Sequence, residues 1–150
     1  MNVLIVYDSF YGNTEIIARA IGESTGARVL RVGDVARDDL KSCNLLIVGS
    51  PTQGGRPTKP LQEFLDEIPK ASLDGIGVAA FDTRFSTKWV KMFGYAAERI
   101  AASLQEKGGN LLTAPACFFV KKEKGPLDDG ETERAAGWGR DLLSNRSPRS

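Results

Sequence analysis

The sequence predicts a doubly wound α/β sandwich: three layers, with helices on both faces of a five-stranded parallel sheet in the order 2-1-3-4-5. Three observations carry that expectation. Short apolar runs alternate with helix-periodic segments, so that the chain reads βαβαβαβαβα. Three of the runs are nearly continuous, the pattern of strands buried on both faces. Finally, strand–helix–strand connections take one hand, which leaves few topologies open.

The strands are expected at Val3 to Val6, Val29 to Val32, Leu45 to Val48, Ile76 to Phe81 and Phe118 to Val120. Between them, Ile16, Ile17, Ala20 and Ile21 line one helical face. Only Asp34 to Lys41 is available for the second helix, which must be short. Leu61, Phe64, Leu65 and Ile68 follow i, i+3, i+4, i+7 spacing, with Thr58 as the cap, Pro60 in the first turn and Pro69 as the stop. Phe93, Ala96, Ala97, Ile100, Ala101 and Leu104 form a fourth stripe that ends at Gly108-Gly109. Ala135, Trp138 and Leu142 form the last. One domain is expected over residues 1–143, followed by a frayed polar tail, SNRSPRS, at 144–150.

Composition removes several function classes. A chain of 150 residues that is 41% hydrophobic and 26% charged is long enough for one sizeable core and has ordinary globular balance. No apolar run approaches the length of a membrane span. The first ten residues lack the pattern of a secretory leader, so the cytoplasm is the expected compartment. Net charge is +1 with the basic residues scattered, which argues against nucleic acid as partner. Two cysteines, Cys43 and Cys117, both beside apolar strands, read as free buried thiols. There is no histidine, so the commonest metal ligand and the usual general base are missing. No catalytic residue and no metal site is expected.

Ligands of open parallel sheets bind beyond the carboxyl ends of the strands, where the strand order reverses. Three loops there have unusual composition. Asp8 to Thr14 runs into a helix, whose first N–H groups and dipole favour an anion. Gly12 permits close backbone approach, and Ser9, Asn13 and Thr14 add side-chain donors. A simple capped turn would account for the same residues. Ser50 to Pro60 has three prolines and Gly54-Gly55, suiting either a stiff connection or a wall for a flat ligand. Phe81 to Trp89 offers Phe85 and Trp89 for stacking on a ring or on the following helix, and Arg84 for an anion.

SFYGNT before a helix, SPTQGG after the third strand, FDTR after the fourth and KGPLDDGETERAAGWG after the fifth resemble short-chain flavodoxins and related FMN domains over nearly the whole chain. Ser9, Gly12 and Thr14 match the family's Thr/Ser-x-Thr-Gly-x-Thr phosphate loop, with Tyr11 in place of the middle threonine. Tyr11 to Thr14 also resembles flavin domains of quinone reductases. Residues 51 to 59 lack the aromatic that such proteins place against the ring, and the chain is near neutral where electron-carrying flavodoxins are acidic.

The resemblance implies FMN as cofactor. It implies a site made of Ser9, Phe10, Tyr11, Gly12, Asn13 and Thr14, of Pro51, Thr52, Gln53, Gly54 and Gly55, and of Asp82, Thr83, Arg84, Phe85 and Trp89. It further implies a peptide at Gly54-Gly55 able to turn toward the reduced ring, which glycine makes cheap. Arg56, Arg84 and Lys88 are expected near the ring, and their charge would make the two-electron potential less negative than in an acidic flavodoxin. The implied activity is electron transfer between redox partner proteins. An FMN-dependent NAD(P)H:quinone reductase, using a nicotinamide and a quinone, and a flavin-free partner-binding module remain open. A receiver domain, a Cys-x5-Arg phosphatase and a GxxxxGK[ST] nucleotide loop lack their required residues here.

Overall fold

A computed structural model describes residues 2–53, 55–85, 95–122 and 124–145. The chain folds as β1 Val3–Tyr7, α1 Asn13–Thr25, β2 Arg28–Arg31, a 3₁₀ turn Val32–Asp34, α2 Arg37–Lys41, β3 Leu45–Pro51, α3 Lys59–Glu67, β4 Gly77–Phe85, α4 Ala96–Glu106, β5 Asn110–Leu111, β6 Ala116–Val120 and α5 Glu131–Asn145. The sheet is parallel throughout and ordered β2-β1-β3-β4-β5, with β6 also paired to β4. This is the predicted order. No helix among the described residues is long and apolar enough to cross a membrane.

The continuous apolar runs feed two cores, because successive side chains of a strand point to opposite faces. Leu4, Val6, Leu46, Val48, Val78 and Ala80 pack on the face covered by Leu61 and Leu65 of α3 and Ile100 and Leu104 of α4. Val3, Ile5, Leu45, Ile47, Ala79 and Phe81 pack on the other, under Ile17 and Ile21 of α1 and Ala135 and Leu142 of α5. On that second face Phe81, Phe118 and Trp138 meet edge to face, with centroids 6.1 to 6.2 Å apart. The aromatic quadrupoles favour that arrangement over stacking. Gly49 of β3 makes it possible: a Cβ there would lie 2.0 Å from Cζ of Phe81.

The structure departs from the sequence reading in three places. The fifth strand is two short ones. β5 pairs with the start of β4, through Gly77↔Asn110 and Val78↔Leu111, and β6 pairs with its end, from Phe81↔Ala116 to Phe85↔Val120. The excursion between them ends in Pro115, which has no N–H for the ladder. The second departure concerns Asp82 to Phe85, expected in a loop. They lie on β4, paired through Pro51↔Thr83 to β3 on one side and through Phe85↔Val120 to β6 on the other. Hydrogen-bonded neighbours on both edges hold the strand extended past its apolar run. Finally, α5 continues through Ser144 and Asn145, which were expected in the tail.

β6 is joined to α5 by Glu131. Its carboxylate accepts from Phe119 N (2.7 Å) and from Nε (2.9 Å) and Nη2 (2.6 Å) of Arg134. Arg134 also lies over the Phe118 ring, 4.6 Å from its centroid. The Arg134 contact, helped by Phe119 N–H, holds the Glu131 carboxyl below the ordinary glutamate value against the opposing effect of burial.

Two outcomes follow from this packing. Gly49→Ala should cost about 1–3 kcal/mol, read as a lower urea midpoint, because the Phe81 ring has no free volume to move into. Glu131 has a depressed folded pKa, so its stabilisation is complete above the unfolded glutamate value and is lost as pH falls through the folded one. Glu131→Gln should therefore flatten the acid limb of stability against pH below the ordinary glutamate range, as measured by unfolding at a series of acidic pH values.

Candidate functional site

β1, β3 and β4 end side by side, and the segments leaving them enclose a cleft of about 330 Å³. Its lining is Ser9, Phe10, Tyr11, Asn13 and Thr14 after β1, Pro51, Thr52 and Gln53 after β3, Thr83, Arg84 and Phe85 at the end of β4, and Val120 at the end of β6. The volume falls in the range of about 300–1,000 Å³ usual for small-molecule sites.

The first wall is the entry to α1. Gly12 precedes the helix at φ +89°, a left-handed conformation that favours glycine. Its N–H donates to Ser9 Oγ at 3.0 Å, which turns the chain back over the end of β1. Ile16 N–H then closes the first helical bond to Gly12 O. Among the described residues, the N–H groups of Asn13, Thr14 and Glu15 have no hydrogen-bond acceptor. They form an open end of the helix dipole, and Asn13 and Thr14 beside them line the cleft. Thr14 Oγ1 meets Thr83 Oγ1 at 2.7 Å, tying α1 to β4. Asn13 Nδ2 donates to Lys124 O at 3.1 Å, which draws the segment after β6 against the same helix end.

The second wall is pinned by backbone. Thr52 N–H donates to Thr83 O (2.9 Å), and Gln53 and Arg56 exchange N–H···O bonds at 2.8 and 2.9 Å across a tight turn. Gly55 sits in that turn at φ +79°, and its carbonyl accepts from Nε of Arg99 on α4 at 3.0 Å. Gly54 lies outside the described residues, as do Lys88 and Trp89. The bonds to Thr83, within the Gln53–Arg56 turn and to Arg99 hold this turn from both sides.

Asp82, expected among the cofactor-binding residues, is fully buried beneath the cleft and absent from its lining. Its carboxylate accepts from Arg84 Nε (2.8 Å) and Nη2 (2.6 Å), Thr52 Oγ1 (3.1 Å) and Ala97 N (3.0 Å). Arg84 does line the cleft, but its charge is matched by Asp82, and its guanidinium carbon lies 3.2 Å from the centroid of Tyr95. Burial works against the Arg84 charge, and the contact with Asp82 more than offsets it. Arg84 therefore does not act as a bare cation. Arg56 is exposed on its turn and is not part of the lining. Arg84 by itself therefore gives little basis for the expected rise in potential. Gly12 and Gly55 shape the walls without lining the cleft. Cys117, paired in register with Asp82, has its thiol pushed up by burial, which makes it a poor nucleophile.

Sequence reasoning misses the second buried carboxylate. Asp8 accepts from Ser9 N (2.9 Å) and Arg31 Nη1 (3.1 Å) at Oδ1, and from the Thr58 hydroxyl (2.5 Å) at Oδ2. The same Thr58 oxygen accepts from Leu61 N at 3.3 Å and caps α3 as predicted. Val120 is missed as well; its apolar strand gave no sign that its last residue reaches the cleft.

The sequence profile of the flavodoxin family, described as Flavodoxin, matches residues 5–138. This chain belongs to the flavodoxin family. A flavodoxin of Aquifex aeolicus (strain VF5) is 31% identical over 72 residues, a stretch that covers 44% of this chain and 39% of that protein. An archaeal flavodoxin structure superposes with a TM-score of 0.80 at 28% identity, over 96% of this chain and 97% of the other. The oxidised Flavodoxin 2 of Bacillus cereus superposes with a TM-score of 0.81 at 23% identity, over 96% and 99% of the two chains. FMN is the cofactor of the family and electron transfer its general activity.

The Asp82 network gives a direct test. Asp82→Ala leaves Arg84 nearly buried and unpaired and uncaps the start of α4, which should cost about 3–5 kcal/mol by urea unfolding. The Asp82→Ala/Arg84→Ala pair should lose clearly less than the sum of the single changes, because the two share one interaction.

Proposed function

We propose that this protein carries electrons between redox partner proteins with FMN held in the cleft at the ends of β1, β3 and β4. The observation that carries the proposal is the open helix end at Asn13–Glu15, beside Ser9 and Thr14, opening into a cleft with exposed aromatics. The nearby carboxylates do not oppose an anion there: Asp8 is paired with Arg31 and Asp82 with Arg84. The residues thus fit a phosphate joined to a flat ring.

In this reading Ser9, Asn13, Thr14 and the free N–H groups hold the phosphate. Tyr11 and Phe85 supply apolar faces, and Pro51, Thr52 and Gln53 form the opposite wall. Bound FMN supplies one- and two-electron chemistry that no side chain of this site provides. The chain's own contribution is positioning. Thr83 fixes Thr52 and Thr14 together, and Arg99 fixes the turn at Gly55. Partial exposure of Phe10, Tyr11 and Phe85 leaves the cleft mouth open to a partner.

The visible absorption spectrum, taken after addition of FMN and desalting, tests the proposal. Flavin bands should survive desalting, and a colourless protein would overturn the reading. Ser9→Ala should weaken FMN binding about ten- to hundredfold while changing riboflavin binding little, since riboflavin has no phosphate. Turnover of NADH with a quinone at enzyme-like rates would instead favour the reductase.

A further inference from the structure

We propose that Arg31, which lies outside the cleft lining, is a positioning residue for the phosphate end of the cleft; the proposal rests on the FMN reading above. Arg31 is the last residue of β2 and pairs in register with Tyr7 at the end of β1. That register sets it beside the turn that follows β1. Its side chain is 44% exposed and is no part of the cleft surface.

A closed ring of hydrogen bonds runs around Ser9. The Ser9 N–H donates to Asp8 Oδ1 at 2.9 Å, Arg31 Nη1 donates to that same oxygen at 3.1 Å, and the same nitrogen donates to the Ser9 carbonyl at 3.1 Å. Nη1 carries two N–H bonds, one for each acceptor. Both backbone polar groups of Ser9 are thereby fixed by Asp8 and Arg31. Asp8 is itself anchored, through its N–H on Gly49 O (3.1 Å) and the Thr58 hydroxyl on Oδ2 (2.5 Å). With its backbone held, the Ser9 hydroxyl is aimed. Its oxygen accepts the Gly12 N–H at 3.0 Å, and no acceptor among the described residues takes its own proton, which is left for a ligand in the cleft.

The role is geometric because the charges around Arg31 cancel. Facing it are Asp8, at 3.1 Å, and Glu15 of the first turn of α1, whose Oε1 lies 3.9 Å from Nη2. Glu15 is held more closely by Arg19, at 2.9 Å, and the Arg31 guanidinium carbon lies 5.5 Å from the centroid of the Tyr7 ring. Two arginines against two carboxylates leave no net charge to draw a phosphate from outside the lining. What Arg31 supplies is a Ser9 fixed before the ligand arrives, so that binding does not have to order it.

Titration of the flavin-free protein with FMN and with riboflavin, followed by flavin fluorescence, tests this. Arg31→Met should weaken FMN binding about tenfold and riboflavin binding less than about twofold, because riboflavin has no phosphate. In the Ser9→Ala background the same change should weaken FMN less than about twofold, since its route to the phosphate is already gone. The double variant Asp8→Asn/Arg31→Met leaves no unpaired buried charge and keeps an acceptor for Ser9 N–H; it serves where the single variant does not fold, and it should show the same loss of FMN affinity. Equal losses for the two flavins, an undiminished cost in the Ser9→Ala background, or native FMN affinity in the double variant would each overturn the inference. A native protein that takes up no FMN sinks the phosphate-site reading and this one with it. A native protein that binds FMN, with Arg31→Met binding it equally well, sinks only this one.

Discussion

Asp82 is a carboxylate with no exposure to water, and the architecture around the cleft is arranged to meet its needs. A buried charge of this kind is stable only when it is paired and its lone pairs are filled. Here the donors come from three separate places: Arg84 two residues on, its guanidinium braced on Tyr95, Thr52 after β3, and Ala97 at the start of α4. Satisfying one carboxylate brings the end of β3, the end of β4 and the beginning of α4 into a single geometry. The second wall of the cleft inherits its position from that arrangement, since Thr52 is the residue that both Asp82 and the Thr83 carbonyl hold.

Asp8 does the equivalent work at the end of β1. It collects Ser9, Arg31 and Thr58, so the loop after β1, the end of β2 and the cap of α3 are joined under the cleft floor. Both acids are neutralised by arginines in place. Their negative charge therefore contributes little to the open space above, and Glu15, the acid of the helix end itself, is paired with Arg19.

Much of the fold was legible because its signals are short in range. The continuous runs at Val3–Val6 and Leu45–Val48 could only be strands buried on both faces, and Thr58, Pro60 and Pro69 bracket α3 by local stereochemistry. The turn into α1 was legible for the same reason, because Ser9, Gly12 and Thr14 lie within one turn of the chain. Less legible was how far the strands run. Asp82 to Phe85 look like a polar loop, and they remain in the sheet because β6 pairs with all four and β3 with Asp82 and Thr83. The fifth strand broke in two where Pro115 cannot serve the ladder.

The sequence by itself determined the layer architecture, the strand order, the place of the cleft and the small polar residues at the open end of α1. Periodicity, capping and helix-end donors are properties of neighbouring residues, and they survive without knowledge of what packs against them. Only the tertiary structure decided that Asp82 is a buried brace outside the cleft lining, that the Arg84 charge is already matched, and that Arg31 and Thr58 converge on Asp8 from 23 and 50 residues away. Those assignments depend on which side chains meet across the sheet. A charge in a sequence has no sign of its partner until the fold brings the two together.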